Sequence, residues 1–176
     1  IRRKDIRDIS PENNPDTNLI PQILACAPND ASLITQKIEE LGYTNIDINL
    51  GCPFPLIARK QKGAGMLAHP DKVEDLFVAL SKFDRIKYSV KMRLGMNDAD
   101  EWKQLLPFFD IISPSHITIH PRIGTQQYKG DLNNESFAEF YNSCKFPIVY
   151  NGDITSLTKV KEIASRFPAL HAIMIG

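Results

Sequence analysis

The chain has 176 residues, 43% hydrophobic and 24% charged, the proportions of a soluble globular protein with room for one good-sized core. Lysine plus arginine and aspartate plus glutamate both total 21, and a net charge of zero argues against a generic nucleic-acid coat, leaving any such contact to a local patch. No apolar stretch reaches bilayer-spanning length and the opening IRRKDIRDIS has no signal-peptide core; three cysteines at irregular spacing (Cys26, Cys52, Cys144) read as free thiols of a reducing, cytoplasmic setting.

In chain order, a turn-rich polar loop, SPENNPDTN (residues 10–18), leads into the first predicted strand, LIPQILAC (19–26). Asp30 is a plausible N-cap for a helix with Leu33, Ile34, Ile38 and Leu41 on one face. The strand NIDINLGC (45–52) follows, and then a loop with Arg59, Lys60 and Lys62. After Pro70, Val73, Leu76, Phe77 and Leu80 mark a second amphipathic helix, which feeds the strand YSVKMRLG (88–95). Trp102, Leu105 and Leu106 predict a third helix, before the strand HITIHP (116–121). Phe137, Phe140 and Tyr141 predict the next helix, ahead of the strand FPIVYNGD (146–153). Thr155 and Ser156 are cap candidates for a helix carrying Val160, Ile163 and Ala164, and HAIMIG (171–176) is the last predicted strand.

This alternation of strand and helix predicts parallel strands with crossover helices, in an open doubly wound sheet or in a closed (β/α)8 TIM barrel. A dinucleotide-binding sheet would carry G-x-G-x-x-G after its first strand, and the sequence has none. The strands also have one polar face. Lys91 and Arg93 oppose Val90 and Met92, Asp47 and Asn49 oppose Ile46 and Ile48, and His116, Thr118 and His120 oppose Ile117 and Ile119. A doubly wound sheet is covered on both faces and wants both apolar, whereas a barrel turns one face inward to build a site at its C-terminal mouth. The fold class expected is therefore α/β, a TIM barrel. Roughly six strands where eight close a barrel, in a chain that begins with Ile1 and stops just after a strand, give the expectation of an incomplete portion.

Several residues fall late in a strand or just beyond it. Cys52 reads either as a small buried hydrophobe or as a general acid or nucleophile; a free thiol titrates near pH ~8.5, so proton donation needs less tuning than thiolate attack. Lys91 and Arg93 on an inward face need anions, supplied by a carboxylate such as Asp47 or by a ligand's phosphate or electron-rich ring. His116 and His120 are well separated along their strand with no third ligand nearby, so no metal is expected, and His120 is a candidate donor to a cofactor or substrate. The NGD at 151–153 is either a simple turn or a junction whose amides bind phosphate, with Gly152 allowing close approach. Arg59, Lys60 and Lys62 form either a solvated loop or a patch that meets a polyanion.

DINLGCP, GAGMLAHP, VKMRLG, IHPR, QQYKGD and YNGDI, in that order, resemble the tRNA-dihydrouridine synthases over about residues 21 to 176. The resemblance implies a partial FMN-binding TIM-barrel catalytic domain over residues 1–176, with NADPH as reductant and tRNA as partner. Uridine would be reduced to 5,6-dihydrouridine, hydride going from reduced FMN to C6 and a proton from Cys52 to C5. By position, Gln22, Lys91 and His120 would contact the flavin, and Asn151 and Gly152 its phosphate end. Asn49 and Arg122 would face the substrate, with Arg93 supporting the site. Pro121 and Ile123 depart from the glycine and threonine of many members. The family's first strand, its phosphate-binding arginine after Gly176 and its C-terminal helical tRNA-binding domain are expected to be absent, and with them much of the cofactor affinity. The alternatives are another FMN-dependent barrel acting on a free pyrimidine, and a catalytically silent RNA-binding barrel.

Overall fold

The computed structural model describes residues 2–175; Ile1 and Gly176 lie outside, and with Gly176 the last position of the strand predicted over 171–176. Six strands, β1 (Gln22–Ile23), β2 (Asn45–Leu50), β3 (Lys87–Gly95), β4 (Ile117–Ile123), β5 (Ile148–Tyr150) and β6 (Ala172–Ile173), form one sheet in the order of the sequence. Every neighbouring pair is parallel. A doubly wound sheet reverses its strand order at a switch point so that helices cover both faces. Strictly sequential order keeps every right-handed crossover on one side, which is the barrel arrangement, present here as an open sheet of six strands.

The register sorts the side chains as strand alternation requires. Ile48, Val90, Ile117 and Ile148 lie abreast on the helix-covered face, all at most 4% exposed. One position on, Asn49, Lys91 and Thr118 lie abreast on the other face. The predicted polar faces are thus all one concave surface.

Among the described residues seven α-helices accompany the strands: α1 (Arg3–Ile9), α2 (Pro28–Glu40), α3 (Pro55–Ala58), α4 (Pro70–Leu80), α5 (Phe109–Ile112), α6 (Asn134–Ser143) and α7 (Leu157–Arg166). The helix α4 follows its sequence: Pro70 takes the first turn, where its missing N–H costs nothing, and Val73, Leu76, Phe77 and Leu80 are completely buried. Each of those side chains contributes about 1.5–3 kcal/mol by leaving water. Asn133 and Ser156 cap α6 and α7 by accepting from the backbone N–H of Ser136 and Lys159.

Other expectations shift. The helix α2 starts on Pro28 instead of after Asp30 and buries Ala31, Thr35 and Ile38, a stripe of small and β-branched residues, leaving Leu33 65% exposed. The helix predicted around Trp102 is instead two 3-10 turns, Glu101–Gln104 and Leu106–Phe108, ahead of α5. Pro107 removes a backbone donor there, and the Glu101 carboxylate turns back to accept the N–H groups of Met96, Asn97 and Asp98. The short helices α1 and α3 have too few apolar residues to show a periodicity, and sequence reading passes over both. The first strand is predicted over eight residues, yet only two form a ladder, because β1 pairs on one side alone and Pro21 has no N–H to give.

Candidate active site

A cleft of about 590 Å³ opens on the concave face at the C-terminal ends of the strands, the size of a cofactor or small-ligand pocket. Gln22, Asn49, Cys52, Lys91, Arg93, His120, Asn151 and Gly152 all line it, so eight of the nine residues singled out by sequence meet in one place. Arg122 is the ninth; it lies behind the cleft wall.

Cys52 is presented by a turn that Asn49 builds. The Asn49 Oδ1 accepts from the backbone N–H of Gly51 at 3.0 Å and of Cys52 at 2.9 Å, and its Nδ2 donates to Gln22 Oε1 at 2.7 Å. Gln22 in turn donates to Asp47 Oδ2 at 2.7 Å, and Ser89 donates to Asp47 Oδ1 at 2.6 Å. A hydrogen-bonded chain across β1, β2 and β3 therefore fixes Asn49, and through it the half-buried thiol. On the far side of the turn, Cys52 O accepts from Ala64 N at 3.0 Å. Gly63, at φ +57°, packs so closely that a Cβ would lie 2.7 Å from Cys52 O and 2.8 Å from Cys52 Cβ. Here the glycine pattern after the cysteine has its reason.

Arg93 is 1% exposed and does not reach for solvent. Its Nε donates to Gly51 O and its NH1 to Ile123 O, both at 3.0 Å, and its guanidinium lies 5.2 Å from the Tyr128 ring centroid. It fastens the loop bearing Cys52 to the end of β4. Lys91 stands differently. Among the described residues its ammonium makes no ion pair and no side-chain hydrogen bond, and Asp47, one of the two kinds of anion considered for it, is taken by Gln22 and Ser89. Burial, with the Arg93 charge adding to it and Asp47 opposing, holds the Lys91 pKa below its ordinary value. Beside it in register, the buried Thr118 Oγ1 has no hydrogen-bond partner among the described residues.

The family resemblance implies that Arg122 faces the substrate, and the structure turns it inward. It is 5% exposed and both its Nε and NH2 donate to Gly130 O, at 3.1 and 2.9 Å. NH1 and NH2 clasp the Asp153 carboxylate at 2.9 and 2.6 Å, and NH1 also reaches His120 Nε2 at 3.1 Å. All five guanidinium N–H groups are engaged within the protein. The Arg122 hydrogen bonds hold the Asp153 carboxyl below its usual range. His120 is pushed down to about 4, first by burial and then by the positive charges of Arg93, Arg122 and Lys91, against the opposing Asp153.

Sequence reading missed Tyr128 and Asp153 as members of this site. Both sit inside quoted motifs, QQYKGD and YNGDI, but nothing in their spacing says that Tyr128 turns back over Arg93 or that Asp153 meets a guanidinium 31 positions earlier. The His116 and His171 rings stack at 6.1 Å, and among the described residues no group of three or more histidine, cysteine, aspartate or glutamate side chains is placed to hold a metal ion. No helix among them is long and apolar enough to cross a membrane.

Six sequential parallel strands, with a thiol, a lysine that makes no ion pair among the described residues and a buried histidine gathered at their C-terminal ends, define a barrel-type sheet with a cleft at its mouth. The chain belongs to the dihydrouridine synthase family, whose model it matches over residues 1–176. It is 28% identical to a probable tRNA-dihydrouridine synthase of Rickettsia bellii over 99% of its own length and 53% of that protein's. It is 30% identical to tRNA-dihydrouridine synthase B of Pasteurella multocida, over 88% of this chain and 47% of that one. The chain thus spans about half the length of the curated relatives it matches. Among solved structures, the dihydrodipicolinate synthase of Agrobacterium tumefaciens superposes with a TM-score of 0.60 at 12% identity, covering 89% of this chain and 52% of that one, a likeness of fold alone.

Proposed function

We propose that the protein reduces uridine in tRNA to 5,6-dihydrouridine, with FMN as cofactor and NADPH as reductant, residues 1–176 supplying units of its FMN-binding barrel. The observation that carries the reading is the Cys52 thiol, fixed by Asn49 and Gly63 at the rim of a cleft whose floor holds the unpaired Lys91.

The residues present fit a flavin. Among the described residues Lys91 makes no ion pair and the adjoining buried Thr118 hydroxyl has no partner, so this part of the concave face lacks the acceptors that a flavin ring and ribityl chain carry. Gln22 and Lys91 would face the ring system, Lys91 also the ribityl chain, and His120 the cofactor nearer its phosphate side. Asn151 and Gly152, at the loop after β5, would take the phosphate end, where Gly152 leaves little room for any side chain: a Cβ would lie 3.1 Å from Pro121. When bound, FMN supplies the hydride that adds to C6 of the uracil.

The chain's own chemistry is the matching proton. Cys52 gives its thiol proton to C5 as the C5=C6 bond is reduced, and the thiolate then regains a proton from solvent. Arg93 holds the backbone on which the thiol sits. A uridine in folded tRNA must leave its stack to enter such a cleft, and the exposed Arg59 and Lys60 in the loop after Cys52 are in place to meet the phosphates around it.

The test is mass spectrometry of nucleosides from dihydrouridine-free tRNA after incubation with full-length protein, FMN and NADPH. Dihydrouridine is the expected product. Unchanged tRNA with reduction of a free pyrimidine would make the protein a small-molecule oxidoreductase, and tRNA binding with neither reaction would leave an RNA-binding barrel.

A further inference from the structure

We propose that Arg122, anchored by Asp153, is a positioning residue that fixes His120 as the neutral tautomer protonated on Nδ1, so that this histidine serves the cleft as a hydrogen-bond donor and not as an acid. The geometry carries it. A guanidinium has donors only and keeps its charge at any ordinary pH, so the 3.1 Å contact between Arg122 NH1 and His120 Nε2 obliges Nε2 to accept. The proton of the neutral ring then sits on Nδ1. That nitrogen makes no hydrogen bond among the described residues, and His120 lines the cleft, so the Nδ1–H is left for an oxygen acceptor on a ligand.

What makes the device rigid is the far side of Arg122. A lone arginine beside a histidine would swing away, but this one is clasped bidentately by Asp153 and doubly held by Gly130 O. Asp153 has the left-handed conformation at φ +45°, a backbone state costing about 1 kcal/mol or more for a non-glycine residue, at the junction where its carboxylate meets Arg122. The groups facing the imidazole from each side agree in sign. Lys91 and Arg93 come from β3, Arg122 from β4 itself, and Tyr128 lies 6.4 Å away, in the loop after β4; among the described residues Asp153, after β5, is the one negative charge acting on the ring, and it is paired with Arg122. Lys91, Arg93 and Arg122 against the single Asp153 carboxylate oppose a second proton on the ring.

The consequence for chemistry rests on the reaction proposed above. Cys52, His120, Lys91 and Tyr128 line the cleft and carry a proton that a substrate carbon could take. With Nε2 covered by a guanidinium and the ring neutral, His120 would have to give up its last proton and become an imidazolate to act as an acid. His120 is thereby removed from the candidate acids, and Cys52 remains the donor that the proposed reaction uses.

The test reads the ring itself and needs no substrate. In full-length protein labelled with 15N-histidine, long-range 1H–15N correlation distinguishes the two ring nitrogens of His120, assigned by loss of its signals in His120→Gln, from those of His69, His116 and His171. The expected spectrum shows Nδ1 protonated and Nε2 bare, unchanged from about pH 5.5 to pH 8. A ring protonated on Nε2, or one that takes up a second proton near pH ~6.5, would overturn the proposal. Arg122→Met should populate both tautomers and raise the titration midpoint, and a wild-type spectrum there would equally overturn it. If Arg122→Met fails to fold, Asp153→Asn, at a side chain 53% exposed, is the second variant. It should mix the tautomers by loosening Arg122, and no mixing would overturn the anchoring role of Asp153. Absence of dihydrouridine formation alongside the expected spectrum would sink the proposed reaction and leave this inference standing.

Discussion

Replacing Gly63 by alanine tests whether the position of the thiol is set by the close approach of two chain segments. At φ +57° an L-residue costs about 1–2 kcal/mol. The new Cβ would fall 2.7 Å from Cys52 O, about 0.7 Å short of ordinary contact at 3.4 Å, and the obstacle is backbone that cannot rotate aside. Relief must move Cys52 and stretch the bond from Ala64 N to Cys52 O, adding about 1 kcal/mol. We expect Gly63→Ala to lose about 2–3 kcal/mol in urea unfolding and to slow dihydrouridine formation by about ten- to a hundredfold, the scale of loss when a reacting group is misplaced by under an ångström. Gly42→Ala is the control: φ is +89° and a Cβ there would meet nothing within 4 Å. It should lose only the backbone share, about 1–2 kcal/mol, with unaltered activity. If the two variants behave alike in both assays, the packing of Gly63 on Cys52 does not position the thiol.

Three further outcomes are expected. Cys52→Ala in the full-length protein should leave the flavin bound and reducible by NADPH while abolishing tRNA reduction, and normal turnover would remove Cys52 as the acid. Lys91→Met should raise the stability of the cofactor-free protein by about 1 kcal/mol or more, since it removes a partly buried cation with no partner, and should weaken FMN binding in a fluorescence titration; a destabilised variant would mean that Lys91 is paired within the protein after all. His120 titrates lower in the folded protein than its ordinary 6.5, so the unfolded chain binds more protons between that value and about 4, and stability present above pH 6.5 is lost as the pH falls toward 4. The loss is on the order of 3 kcal/mol, and urea unfolding across this range should flatten in His120→Gln, although His116, also lowered by burial, keeps a share of the slope.

The sequence by itself determined the alternation of β and α, because burial of a helix stripe or a strand face leaves a local period that can be read without knowing the partner. It fixed α4 through Val73, Leu76, Phe77 and Leu80, and the shared polar face of Asn49, Lys91, Arg93, Thr118 and His120, from which the barrel followed. Tertiary structure alone decided which polar groups satisfy one another. Asp47 was as available to Lys91 as to Gln22, 25 positions earlier, or Ser89, 42 positions later, and only the register of three parallel strands gave it to the latter two. Arg122 looked free to meet a substrate until the loops after β4 and β5 brought Gly130 and Asp153 to it. The physical reason is one of range. Hydrophobic patterning writes each residue's own preference into its neighbourhood, whereas a hydrogen bond between distant segments depends on two local choices and on the geometry that joins them.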